Sequence, residues 1–477
     1  MSRREDLAWV WGAVAMALVA VEGYPDVAFR DGDLPVHVRY GQEILANGGV
    51  PPVDPTVHPS AALVDHEWLS DAAFALLWDA GGLPAILLVT QLLFGLTMFG
   101  AVRLVARSGG GPAVQLVSGA VLLLTAWSHL ATRPHLITWL FTVLLLGVAP
   151  VAARRGRVGA WLAGAFALGV AWINLHGGAL IGPVVLVLLA AREAMDGLRD
   201  PAGRSAAKRL LLCATALGCG LFVNPWGPAM FVHIAEFLRS DVVANTHDFR
   251  PPAPFGTVAG VAMLGLTVWT GTLLAAARPR PSAWLWGLFW IAWGWSAARN
   301  VAMAGWVLAP LLGALGGATW QVLRDLGRSW VDRLDDLFAR RRGPTAAWAV
   351  VGALTLALPA ALRPADPEAP WVAREAIEAL PAGAAVLPQD LLDAGWIALL
   401  RPDATVHLHS LTANYSEAGE RMRTWLRVLN LHEDWLVELE RSGSTALLLE
   451  PEHPLADALE QHGWTAHPLG ARVLLTR

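Results

Sequence analysis

The sequence predicts an α-helical polytopic membrane protein of about eleven transmembrane helices, followed by a small C-terminal α/β domain. The membrane part is predicted by composition, because hydrophobic residues make up 55% of the 477-residue chain and charged residues only 16%. A water-soluble protein of this length would need more charge to cover its surface. The soluble domain is predicted by a change of pattern, since short apolar runs replace long ones after residue 364.

The predicted spans come from the length of the apolar runs, because a helix needs roughly 20 apolar residues to cross the hydrocarbon layer. Runs of about this length, or slightly shorter, lie near 7–28, 83–105, 112–131, 134–153, 158–175, 177–192, 208–226, 256–277, 283–298, 300–317 and 344–362. Residues 1–364 therefore form the predicted transmembrane domain, with a long first outer loop at about 29–82.

The orientation follows from the basic residues, which favour the cytoplasmic side. With the N-terminus in the cytoplasm, the cytoplasmic segments hold twenty Arg and Lys residues, and the outer segments before the last helix hold six. This predicts a multi-pass protein of a bacterial inner membrane whose C-terminal domain, 365–477, is periplasmic or extracellular. The net charge of −4 gives no indication of nucleic acid binding.

The first outer loop carries an acidic pair, Asp31 and Asp33, directly after the first helix. Two carboxylates at this spacing can share a divalent cation such as Mg²⁺ or Mn²⁺, or one of them can act as a general base. His37 lies four residues beyond Asp33, one turn further if the segment is helical. The alternative is a turn that an aspartate caps.

Other polar residues are predicted to lie at the same outer end of the bundle. His66 and Glu67 match the first two residues of the zinc-protease motif H-E-x-x-H. Ser70 occupies the position of the second histidine, so the sequence excludes that motif. The remaining candidates are Arg133, His135, His176, Asn224 and Arg299. Arg and His side chains can hold a phosphate. The alternative is that these residues end helices, or that arginine lies at the level of the lipid head groups.

An acidic pair after the first transmembrane helix, in a large outer loop, resembles the GT-C superfamily of membrane glycosyltransferases. That superfamily includes protein O-mannosyltransferases, aminoarabinose transferases and oligosaccharyltransferases. The chain is most similar to bacterial multi-pass relatives without an assigned function, whose first loop contains D-x-D-x-W-W-H-x-x-x-G-x-x-I, then V-P-x-x-D-P and H-E-W-L. The matching residues are Asp31, Asp33, His37, Gly41, Ile44, Pro51, Asp54, Pro55, His66, Glu67, Trp68 and Leu69. The chain departs from the pattern at Pro35 and Val36, where a Trp pair is usual.

The resemblance implies transfer of a sugar from a polyprenyl-phosphate carrier in the membrane lipid to an acceptor at the outer face. An aspartate of the first loop, Asp33 foremost with Asp31 and His37 in support, would be the general base or a metal ligand. The outer Arg and His residues would hold the carrier phosphate. The rival hypothesis is a non-catalytic scaffold or transporter with the same fold.

Two further segments have their own patterns. Residues 318–343 place Trp and Leu at helical spacing against six arginines, which predicts an amphipathic helix on the cytoplasmic surface. In 365–477, short apolar runs alternate with helical stretches, which predicts a largely parallel sheet covered by helices. We expect this domain to bind or present a substrate.

Overall fold

The computed structural model describes residues 7–22, 32–155, 158–197, 200–328, 330, 333, 373–415 and 417–477. The helices of the N-terminal part are α1 (Ala8–Glu22), α2 (Asp33–Asn47), α3 (Trp68–Arg107), α4 (Pro112–Trp127), α5 (His135–Arg155), α6 (Val158–Leu175), α7 (Ile181–Asp196), α8 (Pro201–Gly220), α9 (Ala229–Phe237), α10 (Asp241–Asn245), α11 (Val258–Ala277), α12 (Pro281–Ser296) and α13 (Asn300–Asp325). A helix overlaps each of the first ten predicted spans. The eleventh, 344–362, lies outside the described residues.

The helices support a membrane-embedded protein. Within the part of the chain that the structure describes, six helical segments are long and apolar enough to cross a membrane. They coincide with α3, α5, α6, α7 with the turn before it, α11 and α13. The apolar parts of α1 and α4 are shorter. Membrane embedding therefore rests on the six longer helices, and the full count of eleven spans stays a prediction.

Helix α13 lies at the centre of the bundle, where it packs against α3, α4, α5, α11 and α12. Its sequence is rich in Gly and Ala, which allow close helix approach inside a membrane bundle. The helix continues without a break to Asp325. The first residues of the amphipathic helix predicted over 318–343 are thus helical as the last turns of α13, and its place on the membrane surface stays a prediction. Most of the remaining segment lies outside the described ranges.

Helix α3 is interrupted where the sequence predicted the end of the outer loop. Gly81 and Gly82 have non-helical backbone angles, with φ of +61° at Gly82, and they divide α3 into two parts. Glycine adopts this left-handed region without the steric cost that a side chain imposes. The first part, which carries Asp71, packs against α2, while the second part packs in the bundle.

Successive bundle helices run in opposite directions, so their connections alternate between two ends. One end, called here the site end, contains the N-termini of α3, α5 and α13 and the C-termini of α4 and α6. Among the described residues, the opposite end contains basic side chains of the C-terminus of α5 and of α8, and the twenty-to-six distribution stays a prediction. There the Arg154 guanidinium lies 2.9 Å from the Glu193 carboxylate, and Arg209 donates to the Ala153 carbonyl.

The C-terminal domain contains the helices α14 (Arg374–Glu378), α15 (Leu391–Leu400), α16 (Ala418–Leu429), α17 (Trp435–Ser442) and α18 (Pro454–Glu460), and the strands β1 (Ala385–Pro388), β2 (Thr405–Val406), β3 (Ala446–Leu449), β4 (Thr465–Leu469) and β5 (Arg472–Thr476). The sheet order is β2-β1-β3-β5-β4. The strands β2, β1 and β3 are parallel, whereas β5 pairs antiparallel with β3 and β4. The largely parallel sheet of the prediction is thus a mixed sheet. Strand β4 was missed because its residues are mostly exposed and include a proline.

The first outer loop and the C-terminal domain interlock at the site end. Residues 56–58 extend the edge strand β2, since Val57 bridges Val406 in parallel. The buried Tyr40 hydroxyl donates to the Asp54 carboxylate and lies 3.1 Å from His409 Nε2. The backbone pairing of Val57 with Val406 covers the β2 edge of the sheet, whose backbone groups would otherwise be unpaired.

Candidate functional site

A cavity of about 230 Å³ lies at the site end, between the bundle and the C-terminal domain. Its lining combines the first loop, the ends of bundle helices, the segment around α9 and α10, and the C-terminal domain. The lining residues that carry polar chemistry are Asp33, His37, His66, Glu67, His129, Arg133, His135, His176, Asp248, Arg299, Ser410, Thr412 and Asn414. Residues almost 400 positions apart in sequence thus meet in one space.

Asp33 begins α2 and pairs with an arginine from the bundle. Its Oδ2 lies 2.9 Å from Nε of Arg133, which belongs to the turn between α4 and α5. The Asp33 side chain is almost fully buried, whereas that of Arg133 is about one-third exposed. A carboxylate at the start of a helix is also stabilised by the helix dipole. The pair therefore fixes the Asp33 carboxyl group beside the cavity.

His37 lies one turn further along α2 and contacts a buried acid of α3. Its Nδ1 lies 2.6 Å from Asp71 Oδ1. This contact depends on Gly41, because a Cβ atom at that position would collide with the backbone carbonyl of Asp71. In the tautomer whose Nδ1 donates to the Asp71 carboxylate, the lone pair of the imidazole lies on Nε2. Nε2 has no hydrogen-bond partner among the described residues, and its nearest acid is Glu67 at 3.8 Å.

A chain of hydrogen bonds defines the protonation of His176. The Trp172 indole donates to the Thr138 hydroxyl, so that hydroxyl donates in turn to His176 Nδ1, at 2.8 Å. The Gly178 amide also donates to Nδ1. Nδ1 is therefore an acceptor, and the proton lies on Nε2, which is 3.2 Å from Glu67 Oε1.

Glu67 is the acid that three histidines surround. Besides His176, its carboxylate lies 3.7 Å from His66 Nε2 and 3.8 Å from His37 Nε2. Burial raises the pKa of Glu67 to about 7, although His37 opposes the shift. Burial also lowers the pKa of His66 to about 3, helped by the positive charges nearby. Glu67 consequently titrates near neutral pH, while His66 stays neutral.

Arg299 provides a second guanidinium on the cavity, and the Arg299 residue keeps access to solvent. It begins α13, and its guanidinium lies 4.5 Å from the centroid of the Phe249 ring. Burial lowers the pKa of Arg299, and the charge of Arg133 acts in the same direction. The carboxylate of Asp248 opposes this shift. Arg133 and Arg299 thus place two guanidinium groups on one cavity, where both can donate hydrogen bonds to a phosphate.

Most of the residues selected from the sequence meet at this cavity. Its lining includes Asp33, His37, His66, Glu67, Arg133, His135, His176 and Arg299. Asp31 lies outside the described residues. Asn224 is not among the lining residues, because its amide bonds the carbonyls of Leu221 and Gly227 and accepts from the Trp226 amide. Its predicted place at the site is therefore wrong, and it stabilises a turn after α8.

The sequence interpretation missed Asp71, Asp248 and the segment 410–414. Asp71 had a usable signal, since it follows Glu67 by four residues and so lies on the same face of a helix. The segment 410–414 had none, because its approach to the first loop depends on the folding of the C-terminal domain.

The described residues do not fit a divalent cation. Among them, no group of three or more His, Cys, Asp or Glu side chains is arranged to hold a metal ion. One oxygen of Asp33 already pairs with Arg133. We therefore derive no step through a metal ion.

Neither a family model nor a curated protein matches this chain. The resemblance to membrane glycosyltransferases therefore rests on the motif residues of the first loop and stays an expectation. The structure itself shows a composite cavity lined by two arginines, by His37 and other histidines, and by three acids, Asp33, Glu67 and Asp248.

Proposed function

We propose that the protein transfers a sugar from a polyprenyl-phosphate carrier to an acceptor at the outer face of a bacterial inner membrane. The observation that carries this proposal is the cavity at the site end, where Arg133 and Arg299 lie beside Asp33 and His37. A lipid-linked phosphate belongs at this depth, because its chain stays in the membrane while its head reaches the ends of the helices. The topology, with the C-terminal domain outside, is part of the proposal.

In the proposed reaction, an acceptor hydroxyl attacks the anomeric carbon of the sugar. The bond between that carbon and the carrier phosphate breaks, and the electron pair leaves with the phosphate. Arg133 and Arg299 stabilise this leaving group, because a guanidinium donates parallel charge-assisted hydrogen bonds to phosphate oxygens. Neutralising the leaving group is the largest electrostatic demand of the step.

His37 is the group that we assign as proton acceptor. Asp71 orients its ring, and Nε2 on the cavity side has no hydrogen-bond partner among the described residues. A base held in this way accepts the proton of the attacking hydroxyl in the transition state. Asp33, already paired with Arg133, supplies negative charge close to the sugar carbon as positive charge develops there. This assignment moves the role of base from Asp33 to His37.

The rival is a scaffold or transporter with the same architecture. A scaffold has no use for a buried histidine held against a buried acid beside two arginines, since the polar groups of His37 and Asp71 are costly to bury. A shared ligand offsets that cost. The cavity therefore favours the enzyme.

The test is a transfer assay with the purified full-length protein, a radiolabelled polyprenyl phosphohexose and an envelope fraction as the source of acceptor. We expect label to move from the lipid to the acceptor fraction with the wild type. The Asp33→Asn variant should lose at least about 100-fold in rate, because it keeps the shape but removes the charge. The matched control is Asp79→Asn, at an exposed acid of α3 away from the cavity. Absence of transfer by the wild type, or equal rates for the wild type and Asp33→Asn, would refute the proposal.

A further inference from the structure

The cavity has two chemically different walls. The bundle supplies a charged wall, which contains Arg133, Arg299 and Asp248. The C-terminal domain supplies the segment 410–414, whose five residues are Ser, Leu, Thr, Ala and Asn and carry no charge. A ligand with an ionic end and a neutral, polar end would match this division.

The uncharged wall is held by its backbone. The Val64 amide of the first loop donates to the Asn414 carbonyl at 2.6 Å, and Leu63 bridges Tyr415. From the other side, His233 Nε2 donates to the Ala413 carbonyl at 2.7 Å. The backbone contacts fix the wall and leave the side chains of Ser410 and Asn414 available for other partners.

Polar atoms on this wall lack partners. Asn414 is fully buried, and its Nδ2 donates to Asp65 Oδ1, but its Oδ1 has no hydrogen-bond partner among the described residues. The same holds for the Ser410 hydroxyl, whereas His66, which also lines the cavity, interacts with the side chain of Asn414. A buried polar atom without a partner is costly, so such atoms indicate that a ligand or water completes them. A carbonyl acceptor and a hydroxyl together suit ligand hydroxyl groups, which both donate and accept.

We infer that the segment 410–414 of the C-terminal domain is the subsite for the hydroxyl-rich ring of the transferred sugar, opposite the charged wall that holds the phosphate. This inference rests on the proposed function and deepens it, because it assigns the C-terminal domain a part in sugar recognition. Ser410 and Asn414 become specificity-determining residues. The domain is then part of the site, since the bundle alone leaves this side of the cavity open.

The test compares the binding of sugar-free polyprenyl phosphate with the binding of the same lipid carrying glucose, mannose or galactose. The full-length protein in detergent is used throughout. Dissociation constants are measured for the wild type, Ser410→Ala and Asn414→Ala. Ser410→Ala tests ligand binding more directly, because the Ser410 hydroxyl has no hydrogen-bond partner among the described residues that the unliganded protein would lose. The matched control is Asn430→Ala, at an exposed amide of the same domain.

We expect Ser410→Ala and Asn414→Ala each to weaken binding of the preferred phosphohexose about threefold to tenfold, the range of one neutral hydrogen bond. Binding of sugar-free polyprenyl phosphate and the behaviour of Asn430→Ala should not change. The subsite would be overturned if the two variants bound both kinds of lipid equally more weakly, or bound both as tightly as the wild type. It would also be overturned if the wild type bound no phosphohexose more tightly than the sugar-free lipid. A wild type that binds none of these lipids would instead refute the proposed function.

Discussion

At the scale of single residues, the structure reassigns roles within a set that the sequence had selected. Asp33 and His37 were chosen for their spacing of four residues, and both line the cavity. The sequence could not show that Asp33 pairs with Arg133, a residue 100 positions away, or that Asp71 orients His37. Spacing along one helix is visible in a sequence, whereas partners on other helices depend on packing.

The first prediction concerns His37 and its positioning residue Asp71. We expect His37→Gln to reduce the transfer rate by about 10²- to 10⁴-fold, the usual contribution of a general base. Asp71→Asn should reduce the rate less and change the pH profile of kcat, because the ring loses the acid that orients it. Rates across pH 5.5–9, at matched membrane yield, measure both effects. An unchanged rate and pH profile in Asp71→Asn would remove Asp71 from the mechanism.

The second prediction is a pH dependence set by Glu67, whose pKa is raised to about 7 by burial. Below this pH the carboxyl is neutral, and above it a negative charge lies beside the phosphate site. Binding of a polyprenyl phosphohexose, a diester whose own charge is constant in this range, should therefore weaken as pH rises from 6 to 8. Glu67→Gln stays neutral and should bind equally at both pH values. A Gln variant that keeps the wild-type pH dependence would contradict this assignment.

At the scale of elements, the apolar patterns predicted the presence of the helices better than they predicted the residues at which the helices begin and end. The apolar runs located ten helices, and the break at Gly81 and Gly82 fell where the outer loop was expected to end. The helix predicted over 318–343 begins as a continuation of α13, which ends at Asp325, so the sequence did not show that the two segments form one helix there. Strand β4 failed because an exposed edge strand lacks the apolar run by which strands are recognised.

The third prediction tests the packing of α2 on α3. Gly41→Ala places a Cβ atom against the Asp71 carbonyl, so the helices must separate and the contact between His37 and Asp71 must lengthen. We expect a destabilisation of about 1–3 kcal/mol, as for overpacked cores, together with a loss of transfer activity. Thermal unfolding in detergent and the transfer assay measure the two effects. The control is Gly49→Ala, where no atom lies within 4 Å of the added methyl group. Normal melting and activity in Gly41→Ala would show that the close packing is not required.

At the scale of the whole molecule, the sequence predicted a bundle with its polar residues at one end, and the structure has that arrangement. The composite nature of the cavity was not predictable. The C-terminal domain reaches the first loop through backbone pairing at Val57 and Leu63, and backbone hydrogen bonds carry little sequence signature. Only the folded chain brings Ser410 and Asn414 to Asp33.

The fourth prediction concerns topology. In a cysteine-free background, with Cys213 and Cys219 replaced by serine, single cysteines at the exposed positions Glu236 and Asn430 should react with an impermeant thiol reagent in intact cells. Cysteines at the exposed positions Arg204 and Lys208 should react only after permeabilisation, because basic loops face the cytoplasm. Labelling of the Arg204 position in intact cells would reverse the orientation and place the cavity on the wrong side.

The central claim is that this cavity binds a lipid-linked phosphate through Arg133 and Arg299. Native mass spectrometry of the protein purified from its own membranes, compared with an Arg133→Gln/Arg299→Gln variant of equal yield, tests it most directly. The account predicts a bound mass that fragments to a polyprenyl phosphate in the wild type, and its loss in the double variant. A wild type without polyprenyl phosphate, or a double variant that retains it equally, would contradict the account.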